Sequence, residues 1–340
     1  MNNRRSIGVA FAALALMLAA CAGDYPQSTL HPTADFGYQI DGLSRTIFWW
    51  AVAVFVIVET VLVVAVLKFR DRPGAADPAV VHGNTLMEMA WTLAPAVVLV
   101  FIAVPSIQTI LKTTGAPVDG ALEVEVIGHQ WWWEFRYPAL AVTTANEMHV
   151  PQGRTVTLRM TSADVIHSFW APKLGGKRDV LPGRVTRIAF TPDSVGEFMG
   201  QCAEFCGESH ANMRLRLVVD APADFEAWVA GQRTAPPAPD SAATTERAGL
   251  AAFRQVRQPA NHSCIACHAI EGVSAGVLGP DLSHLASRGT IAGGILPMSA
   301  DGLTRWLRDP TVVKPGSLMP KIELSEAEID ALVAYLTSLR

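Results

Sequence analysis

Two stretches, residues 46–67 and 90–111, are apolar over about the twenty residues a helix needs to cross the roughly 30 Å hydrocarbon core of a bilayer. Lipid offers no partners for backbone N–H and C=O groups, so each stretch must satisfy its own as a helix. The first holds one charge, Glu59, and carries Trp49 and Trp50 near one end; the second keeps Pro95 and Pro105 inside its run. Lys68, Arg70 and Arg72 lie between them, and this excess of positive charge in a short loop puts the loop on the cytoplasmic side. Both outer ends of the hairpin, and everything after Lys112, then face the exported side. Glu59, an ionisable group at membrane depth, is functional by default, and its expected part is a polar contact with a neighbouring helix. Composition agrees with a chain partly in lipid: 50% of residues are hydrophobic and only 17% charged. A net charge of −4 argues against a nucleic-acid partner.

The N-terminus pairs Arg4 and Arg5 with an apolar run from Ile7 to Ala20, followed directly by Cys21. This is the pattern of a bacterial secretory signal over residues 1–20 that ends in Leu18-Ala19-Ala20-Cys21, with Cys21 lipidated as the new first residue. The alternative is ordinary cleavage with Cys21 incidental. Export follows on either reading.

Past the hairpin, assigned to residues 21–117, the period changes. Thr155-Val-Thr-Leu-Arg-Met160, Val185-Thr-Arg-Ile-Ala-Phe190 and Arg214-Leu-Arg-Leu217 alternate polar and apolar side chains as strands do. Pro and Gly punctuate them at Pro138, Pro151, Gly153, Pro172, Pro182, Gly183 and Pro192. Many short strands predict an all-β Greek-key sandwich over 118–230. Residues 231–245 include Thr234-Ala-Pro-Pro-Ala-Pro-Asp240, a semi-rigid linker. The segment 246–340 reads as all-α: Ser325 and Glu328 have capping-box spacing, with Ile329, Leu332, Val333 and Leu336 on one face behind them.

Two cysteine clusters carry the chemistry. Cys202, Cys206, His210 and Met213 lie within twelve residues, and His167 stands upstream. Thiolate, imidazole and thioether together are the ligands of soft, redox-active copper. One thiolate would serve a single blue copper; two can bridge a pair of ions. A zinc knuckle of Cys202, Cys206, His167 and His210 is the competing set, and it leaves Met213 unexplained. Disulfides are permitted in an exported chain, yet they need none of these neighbours. The second cluster, Cys264-Ile-Ala-Cys267-His268, is the signature of covalent c-type haem, with two thioethers and an axial histidine. A thioredoxin-like pair is the alternative, but no βαβ pattern surrounds it. For the sixth iron ligand Met298 and Met319 compete. Met319 is chosen because Lys314-Pro-Gly-Ser-Leu-Met-Pro320 is a loop able to bring a thioether back over a haem. His31, His82, His129, His149, His262 and His284 are read as surface or structural groups.

Together with Gly128-His-Gln-Trp-Trp-Trp-Glu134, the His167 and Cys202–Met213 pattern resembles subunit II of the haem–copper cytochrome c oxidases over residues 34 to about 231. The C-terminal segment resembles class I cytochromes c, also through Gly279-Pro-Asp-Leu282 and through Gly249 and Phe253, so the whole resembles the caa-type oxidases. The resemblance implies a two-helix membrane hairpin, a cupredoxin domain and a fused cytochrome c. It implies a binuclear CuA centre bridged by Cys202 and Cys206, each copper capped by His167 or His210. Met213 would be a weak axial ligand and Glu204 would ligate through its carbonyl. The Glu204 carboxylate extends, on the same resemblance, to a magnesium ion shared with subunit I. Trp131 takes the place of the aromatic through which electrons arrive and is expected to be the exposed one of its run. Glu88 matches a carboxylate at the mouth of a proton path. The implied role is electron delivery from haem c through CuA to the oxygen-reducing subunit I of a proton-pumping oxidase in the bacterial plasma membrane. Partners would be subunit I, subunit III, membrane lipid and an external donor such as a cytochrome or the cytochrome bc1 complex. The alternative is a membrane-anchored periplasmic carrier serving another reductase. A quinol-oxidase subunit II is disfavoured because it would lack the copper ligands that are all present here.

Overall fold

Both apolar runs are helical and both helices outlast them: α1 spans Asp35–Lys68 and α2 spans Thr85–Thr113. At 1.5 Å per residue they are about 50 Å and about 44 Å long, well beyond the bilayer core. This computed structural model describes residues 25–70, 73–74, 82–114, 118–236, 244–259 and 262–340; the predicted signal, Cys21, Arg72 and the centre of the linker lie outside the described residues.

The first turns of α1 carry Asp35, Gln39, Asp41 and Arg45, too polar for lipid, and they pack on protein instead. Phe36 is buried in the core of the β-domain, and its ring fills the space where a Cβ on Gly175 would otherwise stand. The Asp35 carboxylate accepts from the Thr191 amide at 2.7 Å. Asp41 and Arg45 pair one turn apart at 2.7 Å. Asn84 caps α2 by accepting from the amides of Leu86 and Met87. At its other end the Thr113 carbonyl accepts from the Arg178 guanidinium at 3.1 Å. Trp50 stacks on Phe101 between the helices, centroids 5.6 Å apart. Their outer faces remain uncovered, open to lipid or to partner helices.

The β-domain has ten strands: β1 Leu122–His129, β2 Trp132–Tyr137, β3 Val142–Ala145, β4 Glu147–Pro151, β5 Val156–Ser162, β6 His167–Trp170, β7 Arg178–Val180, β8 Thr186–Phe190, β9 Gly196–Cys202 and β10 Arg214–Asp220. They form two five-stranded sheets, ordered β3-β2-β1-β5-β8 and β4-β10-β9-β6-β7. Consecutive strands cross between sheets, as β5 to β6 and β8 to β9 do, giving the expected sandwich. Alternation buries one face of each strand: Leu122, Val124 and Val126 on β1 meet Leu215, Leu217 and Val219 on β10 in one core. Tyr137 locks the β2 end to β4, its hydroxyl donating to the His149 carbonyl at 2.8 Å and accepting from the His149 amide at 2.9 Å. Helix α3, Pro222–Gln232, closes this core with Phe225 and Val229.

The C-terminal domain is helical, with α4 Thr244–Arg254, α5 Cys264–Cys267, α6 Ala300–Arg308, α7 Pro310–Val313 and α8 Glu326–Ser338. Helix α8 starts in the predicted capping box of Ser325 and Glu328 and buries Ile329, Leu332, Val333 and Leu336 as its pattern requires. Helix α4 crosses it at Gly249, where any side chain would run into the Ala331 carbonyl.

Phe36→Ala should cost the β-domain about 3–5 kcal/mol, the usual loss for a buried phenylalanine. Differential scanning calorimetry of the purified protein checks this as a lowered unfolding midpoint.

Candidate copper and haem sites

The Cys202–Met213 loop joins β9 to β10, and the ladder between those strands fixes both of its ends. The Cys202 amide donates to the Met213 carbonyl at 2.9 Å, and the Ala203 amide donates to Ser168 on β6 at 2.9 Å. From the facing sheet, the Gln130 side-chain amide and the Trp131 indole N–H both donate to the Cys206 carbonyl, at 2.8 and 3.0 Å. Gly207 is required where this approach is closest: its φ is +116°, and a Cβ would meet the Trp131 ring at 2.9 Å.

This scaffold brings every expected copper ligand together. Cys202 and Cys206 Sγ are 3.7 Å apart and both cysteines are free and buried. His167 Nδ1 lies 3.9 Å from Cys202 Sγ, and His210 Nδ1 lies 3.6 Å from Cys206 Sγ. Met213 Sδ is 3.9 Å from Cys206 Sγ, and the Glu204 carbonyl is 3.3 Å from Cys202 Sγ. Three soft sulfurs, two imidazole nitrogens and one carbonyl thus line one pocket, an arrangement that fits a thiolate-bridged copper pair. Hydrogen bonds from Cys206 and His167 hold Cys202 as a thiolate, far below an ordinary thiol, in spite of its burial. The Glu204 side chain points outward and is exposed.

Asp164 is a residue that motif reading missed. Its carboxylate accepts from His167 Nε2 at 2.8 Å, turning Nδ1 toward the thiols, and also from the Gln130 amide at 2.6 Å. Burial works against its charge, but His167 and the amides of Gln130 and Val165 outweigh that and keep Asp164 ionised below the usual range. A carboxylate three residues before a ligand histidine was the available signal. Trp133 packs edge-on against His167, centroids 5.9 Å apart.

Trp131 departs from expectation. It is 8% exposed, not the open member of its run; Trp132 lies nearer solvent, stacked on His129 at 4.1 Å. Its indole is turned inward to the Cys206 carbonyl and packs on Gly207, and the Lys314 ammonium of the C-terminal domain donates to the Trp131 carbonyl at 2.5 Å.

In the second site Cys264 and Cys267 lie on the single turn of α5 and His268 follows as its C-cap. His268 Nδ1 donates to the Pro280 carbonyl at 2.8 Å, which leaves Nε2 to face an iron. Burial holds the His268 pKa below its ordinary value, so the ring is neutral, the state a metal ligand requires. Gly279 packs flat on this imidazole, since a Cβ there would come within 2.6 Å of it. Met298 and Met319 both pack against the core of this domain. Glu88 sits in the first turn of α2, where the helix dipole favours a carboxylate, and it is exposed.

Three family models match the chain. One described as cytochrome c oxidase subunit II, transmembrane domain, matches residues 31–109; cytochrome c oxidase subunit II, periplasmic domain, matches 139–221; cytochrome c matches 247–340. Cytochrome c oxidase subunit 2 of Alkalihalophilus pseudofirmus is 35% identical, covering 96% of this chain and 95% of its own. The same subunit of a Bacillus species is 36% identical, with 97% and 96% covered. Among solved structures, the periplasmic domain of subunit II of cytochrome oxidase from Bradyrhizobium japonicum is 32% identical over 35% of this chain and 96% of that chain, with a TM-score of 0.33.

Asp164→Ala should weaken copper binding by 10- to 100-fold, the usual cost of losing a partner of a ligand histidine. Competition with a copper chelator, followed optically, measures it.

Proposed function

The chain belongs to the cytochrome c oxidase subunit II family, with a fused cytochrome c domain, and on that premise we propose how its residues divide the work. It is the electron-transfer subunit of a terminal oxidase, passing electrons from fused haem c through a binuclear CuA centre to the oxygen-reducing subunit I. When bound, the copper pair and the haem supply carriers that accept and give up single electrons.

Cys202, Cys206, His167, His210, Met213 and the Glu204 carbonyl would hold the copper pair, with the two thiolates as its main soft ligands. The carrying observation is the buried pair of sulfurs 3.7 Å apart with imidazoles at either end. Anchorage of this pocket between two strands limits ligand movement between redox states, which favours fast transfer. Cys264 and Cys267 would hold the haem through thioethers, and His268 and Met319 would ligate its iron. Trp131, donating to the Cys206 carbonyl, gives incoming electrons a covalent and hydrogen-bonded route to the bridging cysteine. The exposed Glu204 carboxylate reaches toward subunit I, where it would hold a magnesium ion as an oxygen ligand. Glu88, at the cytoplasmic start of α2, would stand at the mouth of a proton path.

The chain is anchored in the membrane by two helices, with its β-sandwich and cytochrome domains on the periplasmic side. That membrane is the bacterial plasma membrane on this reading, and Cys21 would add a lipid anchor beside the hairpin. The donor would be a cytochrome or the cytochrome bc1 complex. Tethering makes the last donor step intramolecular, with an effective concentration set by the Pro/Ala linker.

Cys202→Ser should abolish the mixed-valence copper EPR signal of the purified complex and leave haem c absorbance intact. Met319→Ala should shift the haem c spectrum and raise its solvent reactivity; an unchanged spectrum would move the axial role to Met298.

A further inference from the structure

Trp131 lies where the cytochrome domain meets the β-domain, and that contact is built from directed bonds. Lys314 is 4% exposed, and its amine reaches across to the Trp131 carbonyl at 2.5 Å and back to the Ala292 carbonyl at 3.3 Å. Beside it, the Ser209 hydroxyl donates to the Pro315 carbonyl. The Arg214 amide donates to the Gly293 carbonyl at 3.0 Å, extending the β10 backbone into the other domain. A second clasp lies at the far side, where the Gly289 amide donates at 2.9 Å to Glu147, a buried carboxylate that also holds Arg216 at 3.1 Å.

The approach is flush. A Cβ on Gly293 would stand 3.1 Å from the Asn212 carbonyl and 3.3 Å from that of Trp131; on Gly294 it would stand 3.0 Å from Arg214. On Gly316 it would meet the Glu208 carboxylate at 2.8 Å, and on Gly289 it would strike Arg216. Four glycines of one domain thus face the other domain at places where a Cβ would press on a neighbour. Gly316 and Lys314 belong to the loop that ends in Met319, so the loop that reaches the haem also meets the copper domain.

Lys314 holds the contact with its amine. Burial lowers its pKa to about 7, and a lysine amine in either protonation state can donate to a carbonyl. Taking an amine out of water is costly, and the seated geometry adds the Trp131 carbonyl to the Ala292 carbonyl of its own domain as a partner for it.

Resting on the copper and haem assignments above, we propose that the Lys314 loop is a docking plug. It seats the fused cytochrome domain on Trp131, makes that domain the compulsory donor to the Cys202–Cys206 site, and closes the same face to soluble cytochromes. The transfer moves one electron, oxidising the haem held by His268 and reducing the copper pair held by Cys202 and Cys206, with no bond made or broken. Lys314 acts as a positioning residue.

The first test needs no variant. The wild-type oxidase complex is treated with an N-hydroxysuccinimide ester and its lysines are read by peptide mass spectrometry. Lys314 should label at least tenfold more slowly than Lys321, whose side chain is 52% exposed on the same stretch; protection below tenfold overturns the docked state. In the second, Lys314→Met should slow photoinitiated transfer from haem c to copper at least fivefold while haem absorbance and copper EPR stay intact. A smaller effect with both centres intact overturns the positioning role. Absence of a copper EPR signal in the wild type would instead sink the copper assignment, and the lysine protection would still be read on its own.

Discussion

The copper site depends on holding two thiols close without letting them bond. A disulfide needs sulfurs about 2 Å apart, and an exported chain meets conditions that form one. Here the sulfurs stand at 3.7 Å on a loop whose ends are tied by the β9–β10 ladder and whose Cys206 carbonyl is held by Trp131 and Gln130. The sandwich supplies both sets of ties. Its core and the tyrosine lock between β2 and β4 all serve that stiffness.

Each site also fixes the imidazole it offers. His167 and His268 both engage one ring nitrogen, with the Asp164 carboxylate and the Pro280 carbonyl, and both turn the other toward the metal position. The partner differs in charge for a physical reason. Either acceptor orients its imidazole and raises its basicity, and the charged carboxylate beside His167 would do so more than the neutral carbonyl beside His268. The same device therefore tunes one centre more strongly than the other.

Much of this was legible in the chain. The membrane helices announced themselves through apolar length, the strands through alternation, and the clustered thiols of the two sites through their spacing. What could not be read were contacts between distant segments. Phe36 and Asp35 carried no signal in the chain, since their partners Gly175 and Thr191 come far later. Trp131 was expected open on the family resemblance, and its partner Lys314 lies 183 residues away and carries a charge usually left in water. Asp164 sat within reach of a motif reading, yet a lone carboxylate near a histidine is common enough to pass unnoticed.

The junction between α1 and the β-domain has a geometric consequence. Phe36 and Asp35 fix the top of α1 to the sandwich, and Arg178 holds the end of α2. The helices act as a vertical ruler that sets the height and heading of the copper pocket above the lipid. Each residue inserted between 37 and 45 would lift that pocket by about 1.5 Å and turn it by about 100° about the helix axis. The polar turns of α1 therefore tolerate exchange of side chains far better than any change in their number.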